Sequence, residues 1–338
     1  MKALVTGGTG LVGSHLCFHL LQKGYKVKAL YRREERKALT NKVFTYYDST
    51  NTLFSDIEWV KGDLLYTHDV EEAIRGVNIV FHTAAMVSFD PDDAEKIIRY
   101  NEDITNNLVN VLKEKLEQVS LIHCSSIAAL GKPTNYTGLI NENIQWTDSP
   151  NNSPYAISKF LSELVVWRAV EEGLNIGIVN PGIIIGPGFW TEGSGKLFTT
   201  YLKGFPFYTE GVNGFVDVND VAKAMILIAE NTLFSERFIL VENNYSYKEI
   251  FNLICDALSK KRPNIKIGEI ASEIFWRFEF LRSKITGAKP LITKETAKSA
   301  VNRTLYDGTK ILKKTNFQYT PLAQSIPIYA KLLKKEVS

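Results

Sequence analysis

Short apolar runs alternate with longer stretches of helical periodicity along the first two thirds of the chain. Ala3-Leu-Val5 is the first run, and after a glycine-rich turn Leu11, Val12, Leu16 and Leu20 recur at helical spacing. Further strand-like runs stand at Lys26–Tyr31, Ile57–Val60, Asn78–His82, Val119–Cys124 and Asn175–Asn180. Helix-period patterns lie between them, near Asp69–Arg75, Ala94–Leu116 and Tyr155–Glu172. Strand and helix in alternation mean βαβ units, and these predict an α/β fold: a doubly wound parallel sheet covered by helices on both faces. After Pro181 the pattern changes. Residues 183–212 are rich in glycine and aromatics, 218–230 read as a helix, Arg237–Val241 as a strand, and 246–338 as mostly helical. The expected organisation is a sheet domain from 1–182 and 213–243, with a smaller, mostly helical C-terminal lobe from 183–212 and 244–338. Residues 36–56 are polar and irregular, and no function is assigned to them. Ile270, Ile274, Phe278, Leu281 and Ile285 form one helical stripe, expected to pack on its neighbours.

Composition narrows the class. The chain has 338 residues, is 45% hydrophobic, and carries a net charge of +3 with 40 basic against 37 acidic residues. The signs are interspersed, so no nucleic-acid footprint is expected. No apolar run reaches the length of a membrane span, and no membrane partner is expected. Cys17, Cys124 and Cys255 are far apart and lack CxxC spacing. Cys17 and Cys124 read as buried thiols, which suits a reducing compartment, and the expected location is the cytoplasm. The first strand precedes the glycine turn at residue 7, which leaves no room for a signal peptide.

Two motifs carry chemistry. In Thr6-Gly7-Gly8-Thr9-Gly10-Leu11-Val12-Gly13 a strand runs into spaced glycines and then a helix. Gly7 and Gly8 allow a tight turn, Gly10 lets a pyrophosphate approach the backbone, and Gly13 lets helix and strand pack closely. The helix N-terminus offers free N–H groups to phosphate. The second motif is Tyr155-Ala-Ile-Ser-Lys159, preceded by Ser125-Ser126 at the end of a strand. Tyr155 and Lys159 are four apart and share a helix face. A nearby ammonium is expected to lower the tyrosine pKa and suit Tyr155 to acid/base work on a hydroxyl or carbonyl. Ser126 is expected to hydrogen-bond the same substrate oxygen. A second match, Tyr306-Asp-Gly-Thr-Lys310, contains Gly308 and lies outside the sheet region, so it reads as structural. His15 and His19 are four apart on one helix but lack a third ligand at metal spacing, and no metal is expected.

With these motifs the chain resembles the extended short-chain dehydrogenase/reductases. Gly62-Asp63-Leu64, His82-Thr-Ala-Ala85 and Asn180-Pro181-Gly182 fall in that family's order and spacing. It most resembles the dihydroflavonol-reductase-like branch, through Ser125-Ser-Ile-Ala-Ala-Leu-Gly131, Asn180-Pro-Gly-Ile-Ile-Ile-Gly-Pro187 and Thr286-Gly-Ala-Lys-Pro-Leu-Ile-Thr293. The resemblance implies a Rossmann-type sheet whose first domain binds a dinucleotide and whose C-terminal lobe binds substrate. It places the cofactor against Gly7, Thr9, Gly10, Leu11, Val12, Thr83, Ala84, Ala85, Asn101, Ser125, Tyr155, Lys159, Pro181, Gly182 and Ile184. Within that set Ala84 borders the ribose, Asp63 and Leu64 border the adenine, and Asn101 has a structural or relay role. Nucleotide-sugar epimerases of the wider family usually carry arginine where Asn180 stands.

The cofactor follows from the end of the second strand. Tyr31-Arg32-Arg33 stands where an NAD site would place an acid for the ribose 2′-hydroxyl, and a guanidinium suits a 2′-phosphate. NADP is therefore expected, with NAD as the alternative, and Glu34 and Glu35 as competing partners of Arg32 and Arg33. For substrate the residues in view are Met86, Ser88, Ser126, Phe189 and Trp190. Aromatics after Pro181, together with Val87 and Phe89, suit an apolar carbonyl compound, or else pack the lobe against the sheet. The expected activity is an NADP(H)-dependent oxidoreductase acting on a small molecule, with Tyr155, Lys159 and Ser126 as the catalytic residues. The alternatives are a nucleotide-sugar epimerase or dehydratase with bound NAD, and a non-catalytic dinucleotide sensor. The helices near 94–116 and 155–172 are richer in apolar positions than one sheet face needs. In the resembling family such helices form a dimer interface, and a homodimer is expected.

Overall fold

The computed structural model describes residues 1–114, 119–131, 138–149, 152–286 and 293–337. Its main sheet begins with β1 (Lys2–Thr6), β2 (Lys26–Tyr31), β3 (Glu58–Lys61), β4 (Ile79–His82) and β5 (Ser120–Cys124). After the short β6 (Leu139–Ile140) it continues with β7 (Ile176–Pro181). Past β8 (Ile183–Ile185), β9 (Phe207–Tyr208) and β10 (Val212–Asp217) it ends with β11 (Glu236–Leu240). The seven strands lie in the order β11-β7-β5-β4-β1-β2-β3, and all their pairings are parallel. The central strands β4 and β7 are buried at every residue, as a parallel sheet covered on both faces requires.

One face is covered by α1 (Leu11–Gln22), α2 (Lys37–Tyr47) and, later in the chain, a helix at Val218–Glu230. The other is covered by α3 (Thr67–Ile74), α4 (Ala94–Lys113) and α5 (Pro154–Glu171). α5 starts where Ser153 accepts the Ala156 N–H at 3.1 Å and Pro154 presets the first helical φ. Leu116, at the end of the predicted fourth helix, lies outside the described residues, as do 287–292 of the third resembling segment.

The C-terminal part adds α6 (Gly195–Leu202), α7 (Val218–Glu230), β12 (Asn243–Ser246), α8 (Tyr247–Leu258) and β13 (Ile265–Lys266). It ends with α9 (Glu269–Thr286), α10 (Lys294–Val301), β14 (Leu305–Tyr306), α11 (Lys310–Lys314) and α12 (Leu322–Val337). A three-stranded sheet, β12-β10-β8, and the helices α6, α8 and α12 enclose a separate aromatic-rich core. Among the described residues no helix is long and apolar enough to cross a membrane.

Three readings of the sequence change, and a fourth, which left packing or binding open, gains its burial. Residues 36–56 are not irregular: α2 buries Thr40, Val43 and Phe44, and Phe44 meets Phe18 and Phe54 edge-on. Tertiary packing of two or three side chains carries a helix whose own periodicity is faint. The stripe on α9 leaves Ile270 and Ile274 exposed rather than packed. Cys124 is only partly buried, whereas Cys17 and Cys255 are fully so. Phe189 and Trp190 are buried, and Trp190 packs edge-on to Phe198 in the lobe core.

Candidate active site

The chain leaves β1, β4, β5 and β7 at the same carboxyl edge of the sheet, where doubly wound folds bind ligands. Beyond β1, Gly7 has φ +71°, and a Cβ there would stand 2.8 Å from the Ala84 backbone. A Cβ on Gly13 would lie 2.1 Å from the Gly7 carbonyl oxygen, so helix and turn touch backbone to backbone. Gly10 is the N-cap of α1 and no side chain caps it. Its own N–H is used by Gly7 O, and Ser14 N–H returns to Gly10 O. The N–H groups of Leu11 and Val12 sit in the first turn, beside Thr9, where the positive end of the helix attracts anions. This cradle fits the pyrophosphate of a dinucleotide.

Its far wall is the end of β4. Thr83 Oγ1 donates to Thr6 O at 2.7 Å and Ala84 N–H to Thr6 Oγ1 at 3.3 Å. The chain then runs through Ala85 to Met86, whose N–H and C=O are both held by the Asn101 amide, at 2.7 and 2.9 Å. Asn101 also donates to Ser158 Oγ at 3.2 Å, which ties this loop to α5. Its place is that of a clamp. Ser88 is engaged locally, with its hydroxyl on Asp93 at 2.7 Å.

Beyond β2 and β3, Asp63 forms an ion pair with Arg32 at 3.4 Å, and Arg32 lies 5.2 Å over the Tyr100 ring. Arg33 is 66% exposed, with Glu35 4.0 Å away, whereas Glu34 pairs with Lys37 rather than with Arg32 or Arg33. Leu64 is buried with Val70 and Ala73 in the sheet's second core. The structure therefore brings Asp63 and Arg32 together, and leaves the Leu64 side chain in packing.

Beyond β5, Ser125 and Ser126 turn away from the sheet. Ser126 Oγ accepts the Ala128 N–H at 3.2 Å, and a hydrogen bond joins it to Tyr155. The Tyr155 ring meets Phe89 edge-on with centroids 5.4 Å apart. Lys159, 6% exposed, reaches back to Cys124 O at 3.3 Å. Burial pulls the Lys159 pKa down, while the Cys124 thiol and Glu163 push it up. The expected lowering of the Tyr155 pKa is reversed. Burial pushes it up to about 12, against the downward pull of the Ser126 hydrogen bond. Tyr155 is thus a phenol at neutral pH, fit to donate a proton.

Asn180 and Pro181 end β7. Gly182 N–H bonds Leu240 O at 3.0 Å, and Ile184 pairs with Val216 on β10. Tyr306 lies on β14 whereas Lys310 begins α11, so this second Tyr/Lys pair shares no helix face. His15 contacts the Tyr47 hydroxyl and Pro187 O, and His19 bonds Asn219 at 2.8 Å. Glu163, buried behind the serine turn, is the one prominent site-side residue that sequence reasoning passed over. Its only signal was its place four residues after Lys159.

A dinucleotide cradle and a Ser–Tyr–Lys set opening on one sheet edge define an NAD(P)-dependent enzyme of the extended short-chain dehydrogenase/reductase type. Residues 3–239 match the NAD dependent epimerase/dehydratase family, and the chain belongs to that family. Anthocyanidin reductase of Arabidopsis thaliana is 30% identical over 282 residues, 77% of this chain and 81% of that one. Cinnamoyl-CoA reductase 1 of Petunia hybrida is 26% identical over 340 residues, 96% of each. Among solved structures, gox2253 has a TM-score of 0.80 at 25% identity and covers 99% of this chain and 98% of its own. UDP-glucuronic acid 4-epimerase from Bacillus cereus, in complex with UDP-glucuronic acid and NAD, has a TM-score of 0.75 at 18% identity, over 99% and 100% of the two chains. At 18% identity that likeness is one of fold.

Proposed function

We propose that the protein is an NADP(H)-dependent reductase of a carbonyl on a fairly apolar small molecule, or the dehydrogenase of the corresponding alcohol. One observation carries this reading: Tyr155 is a half-buried phenol beside Ser126, one helical turn from the buried Lys159. Bound NADPH would supply the hydride. Tyr155 gives its phenolic proton to the substrate oxygen, and Ser126 Oγ steadies the charge that grows there. Lys159, one turn from Tyr155, would hold the ribose of bound NADPH with its ammonium. Arg32 and Arg33 are assigned to the 2′-phosphate, with Gly7, Thr9, Gly10, Leu11 and Val12 at the pyrophosphate. Asp63 with Arg32 frames the adenine side. Thr83, Ala84, Ala85, Ser125, Pro181, Gly182 and Ile184 line the remainder, and Asn101 holds the Met86 loop. Residues 183–212 and 244–338 are assigned to the substrate lobe, in which Met86 and Ser88 face the substrate while Phe189 and Trp190 form packed support.

The names of the reductase relatives and the absence of arginine at position 180 favour a carbonyl substrate over a nucleotide sugar. A panel of carbonyls with NADPH, and of alcohols with NADP⁺, followed at the nicotinamide absorbance, tests the reading. Micromolar binding of UDP or dTDP to the cofactor-loaded protein overturns it in favour of an epimerase or dehydratase. A homodimer through the outer faces of α4 and α5, where Leu164 is exposed, completes the proposal. Light scattering that shows a monomer at micromolar concentration removes it.

A further inference from the structure

Tyr155, Lys159 and Glu163 follow one another at four-residue steps along α5, on one face of the helix. Glu163 is 2% exposed. Four donors converge on its carboxylate. Oε2 accepts from Ser125 Oγ at 2.6 Å and Asn180 Nδ2 at 2.7 Å. Oε1 accepts from Arg237 Nη1 at 3.1 Å and Trp167 Nε1 at 3.2 Å. The same Asn180 amide nitrogen donates to Ser126 O at 3.0 Å. Arg237 extends the network to the chain after β6, donating to Glu142 O at 2.8 Å and Ile144 O at 2.6 Å.

One carboxylate therefore joins the helix that carries Tyr155 and Lys159 to the turn that carries Ser126. Buried charge is costly unless it is paired and fully hydrogen-bonded, and here every lone-pair direction is used. A surface carboxylate at this helical position would serve solubility. This one turns one oxygen wholly toward Ser125 and Asn180 of β7, and the other toward Arg237 and Trp167. Its charge also favours the ammonium form of Lys159.

We propose that Glu163 is the positioning residue of the site. Through Ser125 and Asn180 it sets where Ser126 Oγ stands relative to the Tyr155 hydroxyl, without touching substrate or cofactor. The consequence for turnover rests on the reductase reading above; the consequence for the turn does not.

Glu163→Gln is nearly isosteric, but its amide NH₂ must face donors. Turned one way it opposes Ser125 and Asn180, and turned the other way it opposes Arg237 and Trp167. A displacement of about 1 Å at a catalytic group costs on the order of a hundredfold in rate. The experiment uses the NADPH-loaded full chain and the carbonyl substrate that the panel identifies. In Glu163→Gln, kcat is expected to fall ten- to a hundredfold, while KM and the NADPH Kd, read by nicotinamide fluorescence, stay within threefold. The double variant with Ser125→Ala falls no further than Glu163→Gln alone, because both act through one contact. An unchanged kcat overturns the proposal. So does a kcat loss matched by an equal loss of NADPH binding, and so does simple additivity with Ser125→Ala. Where Glu163→Gln does not fold, Asn180→Ala cuts the same link from the other side. A kcat loss at unchanged KM then supports the proposal, and an unchanged kcat refutes it. A crystal structure of Glu163→Gln separates the two readings. Wild-type protein inactive across the whole panel sinks the reductase assignment. A 125–126 turn left in its wild-type place sinks the role of Glu163 whatever the activity.

Discussion

Replacing Tyr155 with phenylalanine removes one proton and one hydrogen bond and leaves the ring. The edge-on contact with Phe89 at 5.4 Å survives, and Ser126 keeps its bond to the Ala128 N–H at 3.2 Å. The fold and the cofactor cradle around Gly7 and Gly13 should therefore stand. The loss falls on chemistry. With a pKa of about 12, Tyr155 is protonated in all but roughly one molecule in 10⁵ at pH 7. It begins a reductive cycle as the acid. General acid catalysis by a placed side chain contributes roughly 10²- to 10⁴-fold, or about 2.7–5.4 kcal/mol of barrier. Single-turnover reduction by Tyr155→Phe loaded with NADPH should slow by that range, with the NADPH Kd unchanged. The pH dependence gives a second handle. Alcohol oxidation needs the phenolate, so its wild-type rate should climb about tenfold per pH unit through the neutral range. Carbonyl reduction should stay flat there, and the climb should vanish in the variant. Tyr306→Phe, on β14 and away from the serine turn, serves as the control and should leave turnover near wild type. Turnover of Tyr155→Phe within threefold of wild type refutes the assignment.

Two further predictions test other parts of the structure. Replacing Arg32 and Arg33 together by glutamine should weaken NADPH binding by about 1.5–3 kcal/mol per charged hydrogen bond lost and leave NADH binding largely intact. Titration fluorimetry decides this, and equal losses for both cofactors reject the 2′-phosphate assignment. Asp220 is buried at the start of α7, where it accepts from Thr320 N–H at 2.6 Å and Oγ1 at 3.0 Å, and burial raises its pKa from 3.8 to about 6. Between those values the folded chain holds a proton that the unfolded chain has lost, so stability falls as pH rises. From about pH 5 to pH 8 this group should cost about 1.4 kcal/mol, a slope that urea denaturation should find in wild type and not in Asp220→Asn.

The sheet and the motif residues were legible because their signals are local. A glycine turn between strand and helix, or a tyrosine and lysine one helical turn apart, is complete within a dozen residues. What stayed hidden depends on distance or on burial. α2 is held to α1 by Phe44 while Val43 lies beside Gly188, and its polar surroundings conceal a two-residue apolar face. The aromatics at 189 and 190 announce packing or binding equally well; only the fold shows Trp190 in the lobe core and Phe189 buried under Arg36. Glu163 reads as an ordinary helical charge, because Arg237 comes 74 residues later and Asn180 belongs to a different strand.

The inversion at Tyr155 is the most instructive case. Sequence spacing puts an ammonium near the phenol and suggests a phenolate. The fold instead half-buries the phenol, buries Lys159 with its ammonium turned to the Cys124 carbonyl, and sets Glu163 one turn beyond it. Much of the lysine's field is then spent on its own neighbours, and desolvation governs the tyrosine. At rest Tyr155 carries its proton, as the proposed acid role requires. The balance of burial against charge along a single helix face, rather than spacing alone, thus sets the direction in which the Tyr155 pKa moves.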